Sequence, residues 1–201
     1  MTLRQLPNLI TGLRIVLVPP IVILILRHEY SLALILFIAA GVSDALDGTL
    51  ARVGRWQTAL GGVLDPVADK LLVFGVFLSL VLAGRMPEWL FAAALLRDLV
   101  IGAGALAYRL RIGPFAPAPS LLSKLNTLLQ LSVVFVLLLP WPGGTPTASL
   151  VDGLFVLTGI SIVASGAGYV LEWGQRAAAV RRERLTAASK RADSAIAHRH
   201  R

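Results

Sequence analysis

Cysteine is absent from the 201 residues, which excludes disulfides and thiol chemistry and leaves the redox compartment open. Charge is scarce too: Asp, Glu, Lys and Arg make up 15% of the chain, against about 25% in an ordinary soluble domain. Acidic residues are the rarer sign, 11 against 19 Lys and Arg. No aromatic residue is interleaved with the basic residues of "QRAAAVRRERLTAASKRADSAIAHRHR" (175–201), so this stretch lacks the stacking platform that single-stranded nucleic acid requires, and no nucleic-acid partner is expected. Neither a soluble domain nor a short internal repeat is evident.

What the chain has is apolar length. Hydrophobic residues make up 56%, and the mean hydropathy is +0.77. Six apolar runs stand out, at about Leu13–Leu26, Leu32–Leu50, Thr58–Ala83, Trp89–Tyr108, Leu121–Leu139 and Leu150–Trp173. Most approach the roughly 20 residues needed to cross a hydrocarbon core about 30 Å thick. They are too long and too uniformly apolar for the alternating strands of a membrane barrel, so the expected fold is an all-α integral membrane bundle of six transmembrane helices. The first run leads into "RHEYSLALIL" and a second span, with no small-residue cleavage site, and reads as a retained helix rather than a signal peptide. The expected membrane domain covers 1–175, and 176–201 forms a basic, disordered tail at anionic headgroups. "PWPGGTPTASLVDG" (140–153) reads as a loop.

Arg4, Arg14, Arg52, Arg55, Arg109, Arg111 and the tail arginines fall on one alternating set of loops and termini, whereas the other set holds mainly Arg27 and Arg85. The positive-inside rule then places both termini in the cytoplasm.

Against this apolar background, "GVSDALDGTLARVGRWQTALGGVLDPVADK" (41–70) carries four aspartates. One Asp at a helix end needs no more than a solvated turn, but four at helical spacing need a common explanation. Asp44 and Asp47 share one helical face with Gly48 and Ala51; Gly61, Asp65 and Asp69 step by four along the next helix. A short basic connection makes those helices antiparallel neighbours, with the two stripes able to face each other. Four carboxylates so close repel one another, and a hard divalent cation such as Mg²⁺ or Mn²⁺ removes the conflict. Gly48, Ala51 and Gly61 clear space for a phosphorylated ligand, and Arg52 can grip phosphate oxygens. These parts suit metal-assisted attack on a diphosphate, with Asp69, last in its stripe, as the candidate base for a hydroxyl nucleophile.

Asp44, Asp47, Gly48, Ala51, Arg52, Gly61, Asp65 and Asp69 reproduce D-x2-D-G-x2-A-R-x8-G-x3-D-x3-D, and in this the chain resembles the CDP-alcohol phosphatidyltransferases. Eight fixed positions coincide by chance on the order of once in 10¹⁰ placements. The resemblance implies a six-helix membrane enzyme, often dimeric, that transfers a phosphatidyl group from CDP-diacylglycerol to an alcohol and releases CMP. It implies two divalent metals held by Asp44, Asp47, Asp65 and Asp69, with Asp69 also the base and Gly48, Ala51, Arg52 and Gly61 against the cytidine diphosphate. "LPNLITGLRIVLVPP" (6–20) resembles the amino terminus of the phosphatidylglycerophosphate synthase and cardiolipin synthase branch, where an amphipathic interfacial segment leads into the first span. Asn8, Thr11 and Arg14, three residues apart there, fit either the edge of the active site or a membrane-surface anchor.

Arg97 in "LLRDLVIG", Ser123 and Lys124 in "PSLLSKLNTLLQ", and Arg109 and Arg111 surround the expected pocket with cations and imply an anionic acceptor. For Arg97 the alternative is a structural pair with Asp98, and for Lys124 an interfacial position. "SKLNTLLQL" resembles the cardiolipin synthases that use CDP-diacylglycerol and phosphatidylglycerol; the alternative acceptor, glycerol 3-phosphate, belongs to the phosphatidylglycerophosphate synthases. The expected setting is the bacterial inner membrane, with the active site cytoplasmic. The rival readings fit less well: an ion-coupled transporter lacks its broken-helix pair, and a polyprenyl-diphosphate enzyme would carry tighter acidic clusters than "DALD".

Overall fold

The computed structural model describes residues 6–54, 61–111, 113, 120–141 and 146–199, and the side chains of 11–43, 65, 67–110, 113, 120–141 and 146–176. Among the described residues every element is helical: α1 (Leu6–Leu26), α2 (Tyr30–Gly54), α3 (Gly61–Leu82), α4 (Glu88–Arg111), α5 (Leu121–Leu138) and α6 (Ala148–Arg199). These are the six helices expected from the apolar runs. The interfacial segment expected at 6–20 and the first span form one helix, α1.

The helix ends follow local chemistry. Gly84, at φ +71°, closes α3: its N–H reaches the Val81 carbonyl and the Arg85 N–H reaches that of Leu80. This is the paired bonding of a left-handed helix terminus, which glycine adopts without strain. The same pair of bonds ends α1, from His28 N to Ile25 O and Glu29 N to Leu24 O, but there a histidine holds φ +61°. At the start of α5 the Ser120 hydroxyl accepts from the Ser123 N–H at 3.1 Å, an N-cap. α6 starts earlier than expected, because the Thr147 carbonyl already accepts from Leu150 and Val151; 148–153 are helical rather than loop. Beyond Arg176 the backbone, expected to be a disordered tail, continues α6 to Arg199.

The helices form two compact units, Met1–Ala92 with Leu128–Thr158, and Ala93–Thr127 with Gly159–Arg201. In the first, α1 packs against both α2 and α3. Its core is apolar, with Ile21, Ile25, Val76, Leu80, Leu90, Val133 and Leu138 fully buried. Gly75 sets the approach of α3 to α1: a Cβ there would lie 3.0 Å from Val18 Cγ1 and 3.3 Å from Val22 Cγ2. Arg85 spans two connections, its Nη1 donating to the Leu137 carbonyl at 2.7 Å and its guanidinium lying 4.1 Å from the Tyr30 ring centroid. The second unit has a more polar interior, burying Arg97, Asn126, Ser161 and Ser165 beside Ile162, Tyr169 and Trp173. There the Trp173 indole lies against Gly104, where a Cβ would fall 1.7 Å from Cζ3.

Among the described residues three helical stretches are long and apolar enough to cross a membrane, Glu88–Leu110, Leu121–Leu138 and Ala148–Arg176; Thr11–Leu26 and Tyr30–Ser43 are shorter apolar helices. Leu96, Leu99, Leu106 and Leu110 on α4, and Leu157, Ile160, Val163 and Leu171 on α6, are exposed. In water such surface would be a severe liability; facing acyl chains it is solvated, and the protein is a membrane protein.

Candidate active site

Asp65 and Asp69 lie one turn apart on α3, so both project from the same side of the helix. Each is met by a polar side chain from α1. Thr11 Oγ1 donates to Asp65 Oδ1 at 2.5 Å, and Arg14 Nη1 donates to Asp69 Oδ1 in an ion pair. Thr11 and Arg14 are each 1% exposed, whereas Asp69 is 53% exposed, so the donors are sequestered and the acceptor carboxylate faces outward. The pairs ascend together, 11 with 65 and 14 with 69, and Val18 and Val22 meet Gly75 further on. α1 and α3 therefore run parallel here.

This geometry bears on the two readings of the first helix. Thr11 and Arg14, which lie within a helix, are buried and end on carboxylates of the motif. Asp44, Asp47, Gly48, Ala51 and Arg52 lie along α2 and Gly61 opens α3, but nothing beyond their backbone is described. The Asn8 and Arg111 side chains also lie outside the described residues. Among the described residues no three His, Asp or Glu side chains converge, two of the four expected ligands being Asp44 and Asp47. A cleft of about 390 Å³ at the α1–α2 turn, lined by His28, Glu29, Arg85 and Trp141 among others, includes none of the expected site residues.

The candidate acceptor residues belong to the second unit. Arg97, 8% exposed on α4, donates to Asp98 Oδ1 at 2.8 Å through Nη1, and to Ser123 Oγ at 2.9 Å and Ser165 Oγ at 2.8 Å through Nη2. Its guanidinium carbon lies 5.9 Å from the Tyr169 ring centroid. One buried cation thus joins α4, α5 and α6, and the structural pair with Asp98 and the contact with Ser123 are both present. Arg109 and Lys124 are exposed. Beside this cluster Ser161 donates to Asn126 Oδ1 at 3.0 Å, while Asn126 Nδ2 and Arg97 Nε are buried without a partner. The sequence reading missed Ser161, Ser165 and Tyr169. Their signal was a polar stripe at four-residue steps along an otherwise apolar α6.

The profile of the CDP-alcohol phosphatidyltransferase family matches residues 4–172, and the chain belongs to that family. A probable cardiolipin synthase (CMP-forming) of Drosophila melanogaster is 33% identical over 192 residues, covering 84% of this chain and 58% of its own. A cardiolipin synthase (CMP-forming) of Rattus norvegicus is 36% identical over 146 residues, covering 64% of this chain and 48% of its own. The CDP-diacylglycerol–glycerol-3-phosphate 3-phosphatidyltransferase of Aquifex aeolicus is 34% identical over 124 residues, covering 61% and 68%. The chain spans about half the length of the two cardiolipin synthases it matches.

Proposed function

We propose that this protein transfers a phosphatidyl group from CDP-diacylglycerol to an anionic, glycerol-containing acceptor and releases CMP. The observation that carries this reading is the pair Asp65 and Asp69 on one side of α3, each engaged by a buried polar side chain of α1, at the spacing of the family's motif.

The acceptor hydroxyl forms a new P–O bond to the phosphatidyl phosphorus, and the P–O bond to CMP breaks. The hydroxyl proton passes to the Asp69 carboxylate, which is exposed enough to meet substrate. Gly48, Ala51, Arg52 and Gly61 receive the cytidine diphosphate, with Asn8 at the edge of the site. The donor set fits a hard divalent cation: Asp65 and Asp69, four residues apart on α3, offer only carboxylate oxygens, and Asp44 and Asp47 stand three residues apart on α2. Mg²⁺ or Mn²⁺, in two copies, held by these four aspartates, would supply charge neutralisation at the diphosphate and its leaving group.

For the acceptor we favour phosphatidylglycerol, a reading supported by the two relatives named as cardiolipin synthases. Glycerol 3-phosphate is the alternative, supported by the Aquifex aeolicus relative. Either presents a phosphate, and the second unit has donors in excess of its own acceptors at Arg97 Nε and Asn126 Nδ2. Arg97 and Ser123 then bind the acceptor phosphate, with Arg109, Arg111 and Lys124 drawing the anion in. Residues 1–175 form the catalytic membrane domain, and 176–201 contact anionic headgroups. The setting in this reading is a bacterial inner membrane, and the excess of basic residues on one set of loops supports a cytoplasmic site and cytoplasmic termini. Membership of a family whose members are often dimeric supports a homodimer within that bilayer.

The test is direct. Purified protein is incubated with labelled CDP-diacylglycerol and Mn²⁺ or Mg²⁺, in parallel with phosphatidylglycerol and with glycerol 3-phosphate. CMP release with labelled cardiolipin in the first arm is expected. Labelled phosphatidylglycerophosphate in the second would reassign the acceptor, and no CMP in either would remove the reading.

A further inference from the structure

Helix α1 is mostly apolar, and among its described residues the two buried polar side chains both end on carboxylates of α3. Thr11 and Arg14 are each 1% exposed and reach Asp65 Oδ1 and Asp69 Oδ1. The donors are three residues apart and the acceptors four, so one side of each helix supplies both pairs, and the parallel run of α1 and α3 aligns them.

Among the described residues Thr11, like Ser161 with Asn126, bonds across to another helix, whereas other hydroxyls bond within their own. Thr127, Ser132 and Thr158 each donate to the carbonyl four residues back in their own helix, and Ser79 to the one three back. That local bond satisfies a hydroxyl in an apolar setting within its own helix. Thr11 has one proton to donate and directs it across to Asp65. A buried guanidinium on the same helix has a similar requirement for a partner, and it meets Asp69.

We propose that Thr11 and Arg14 are positioning residues of the active site, which hold the Asp65 and Asp69 carboxylates in the side-chain conformations that bind the divalent cation and receive the acceptor's proton. This rests on the phosphatidyltransferase reading above. Such partners of metal-binding groups typically change metal affinity or activity about 10–100-fold when removed. α1 is then a functional wall of the site, and Thr11 and Arg14 preorganise α3 for chemistry that neither performs.

The experiment measures Mn²⁺ binding to the purified, detergent-solubilised full chain by electron paramagnetic resonance, alongside thermal unfolding and steady-state kinetics. Thr11→Val, nearly the same size, is expected to weaken Mn²⁺ binding about 10-fold with unfolding little changed, and Thr11→Ser, which restores the hydroxyl, to recover it. Arg14→Lys, which keeps the charge and loses the planar fork, is expected to lower kcat while KM for CDP-diacylglycerol moves little. Should Thr11→Val fail to fold, Thr11→Ala is read in its place against Thr11→Ser. Wild-type Mn²⁺ affinity in the hydroxyl-deficient variant overturns this inference alone. A wild-type protein that binds no Mn²⁺ overturns the metal reading and this inference with it.

Discussion

Asp69 carries two demands at once: it accepts a bond from Arg14, and in the proposed reaction it takes a proton from the acceptor. Asn is close in shape and keeps an oxygen for Arg14 but cannot take that proton. Asp69→Asn is therefore expected to lower turnover about 10²–10⁴-fold while labelled CDP-diacylglycerol is still retained by the protein in micelles. Turnover near wild type would remove the base assignment. Asp65 and Asp69 were legible as a pair on one side of a helix because of their four-residue spacing; the Asp44 and Asp47 side chains lie outside the described residues. Thr11 and Arg14 were only half legible: polar residues three apart on an apolar helix fit a surface anchor equally well, and the position of Asp65 and Asp69 across from them bears on the matter. Arg97 was ambiguous in the same way, because a pair with the adjacent Asp98 and bonds to two distant serines leave one mark in the sequence.

Apolar run length was enough to find the six helices, and glycine marked the end of α3. The end of α1 gave no such signal, since His28 holds a left-handed conformation that side chains other than glycine rarely adopt. The continuation of α6 past Arg176 was obscured by its basic composition, although Ala, Arg, Lys and Glu are all strong helix formers and the stretch is rich in them. Gly75 is where a single element constrains the site, because it fixes how closely α3 approaches α1 along the line that also carries the two α1-to-α3 bonds. Gly75→Leu is expected to destabilise the protein by about 1–3 kcal/mol, read as an earlier thermal transition in detergent, and to reduce turnover as Thr11 and Arg14 lose register with their partners. Gly102→Leu on α4, where a Cβ would meet nothing within 4 Å, is the control and should leave both nearly unchanged. Equal behaviour of the two variants would show that the α1–α3 approach does not govern the site.

Across the whole chain the formal net charge is +8, and the stretch after Arg176 contributes much of it. Each Lys or Arg held near an anionic leaflet is worth about 1 kcal/mol of attraction, falling off within a Debye length. Deleting residues 177–201 is expected to flatten the dependence of activity on the fraction of anionic lipid in reconstituted vesicles, while turnover at high anionic content stays close to that of the full chain. Loss of catalysis at every lipid composition would place the deleted segment in the reaction itself. The pairing of Arg14 with Asp69 joins positions 55 residues apart, and it bears on the order of events at the ribosome. At about 5–20 residues added per second, the nascent first helix waits roughly 3–11 s before its carboxylate emerges. Arg14 stands at the start of the first apolar run, so until translation delivers α3 its long side chain reaches back to the water interface. The pairing with Asp69 closes only once the third helix arrives, and the first helix completes its packing after it.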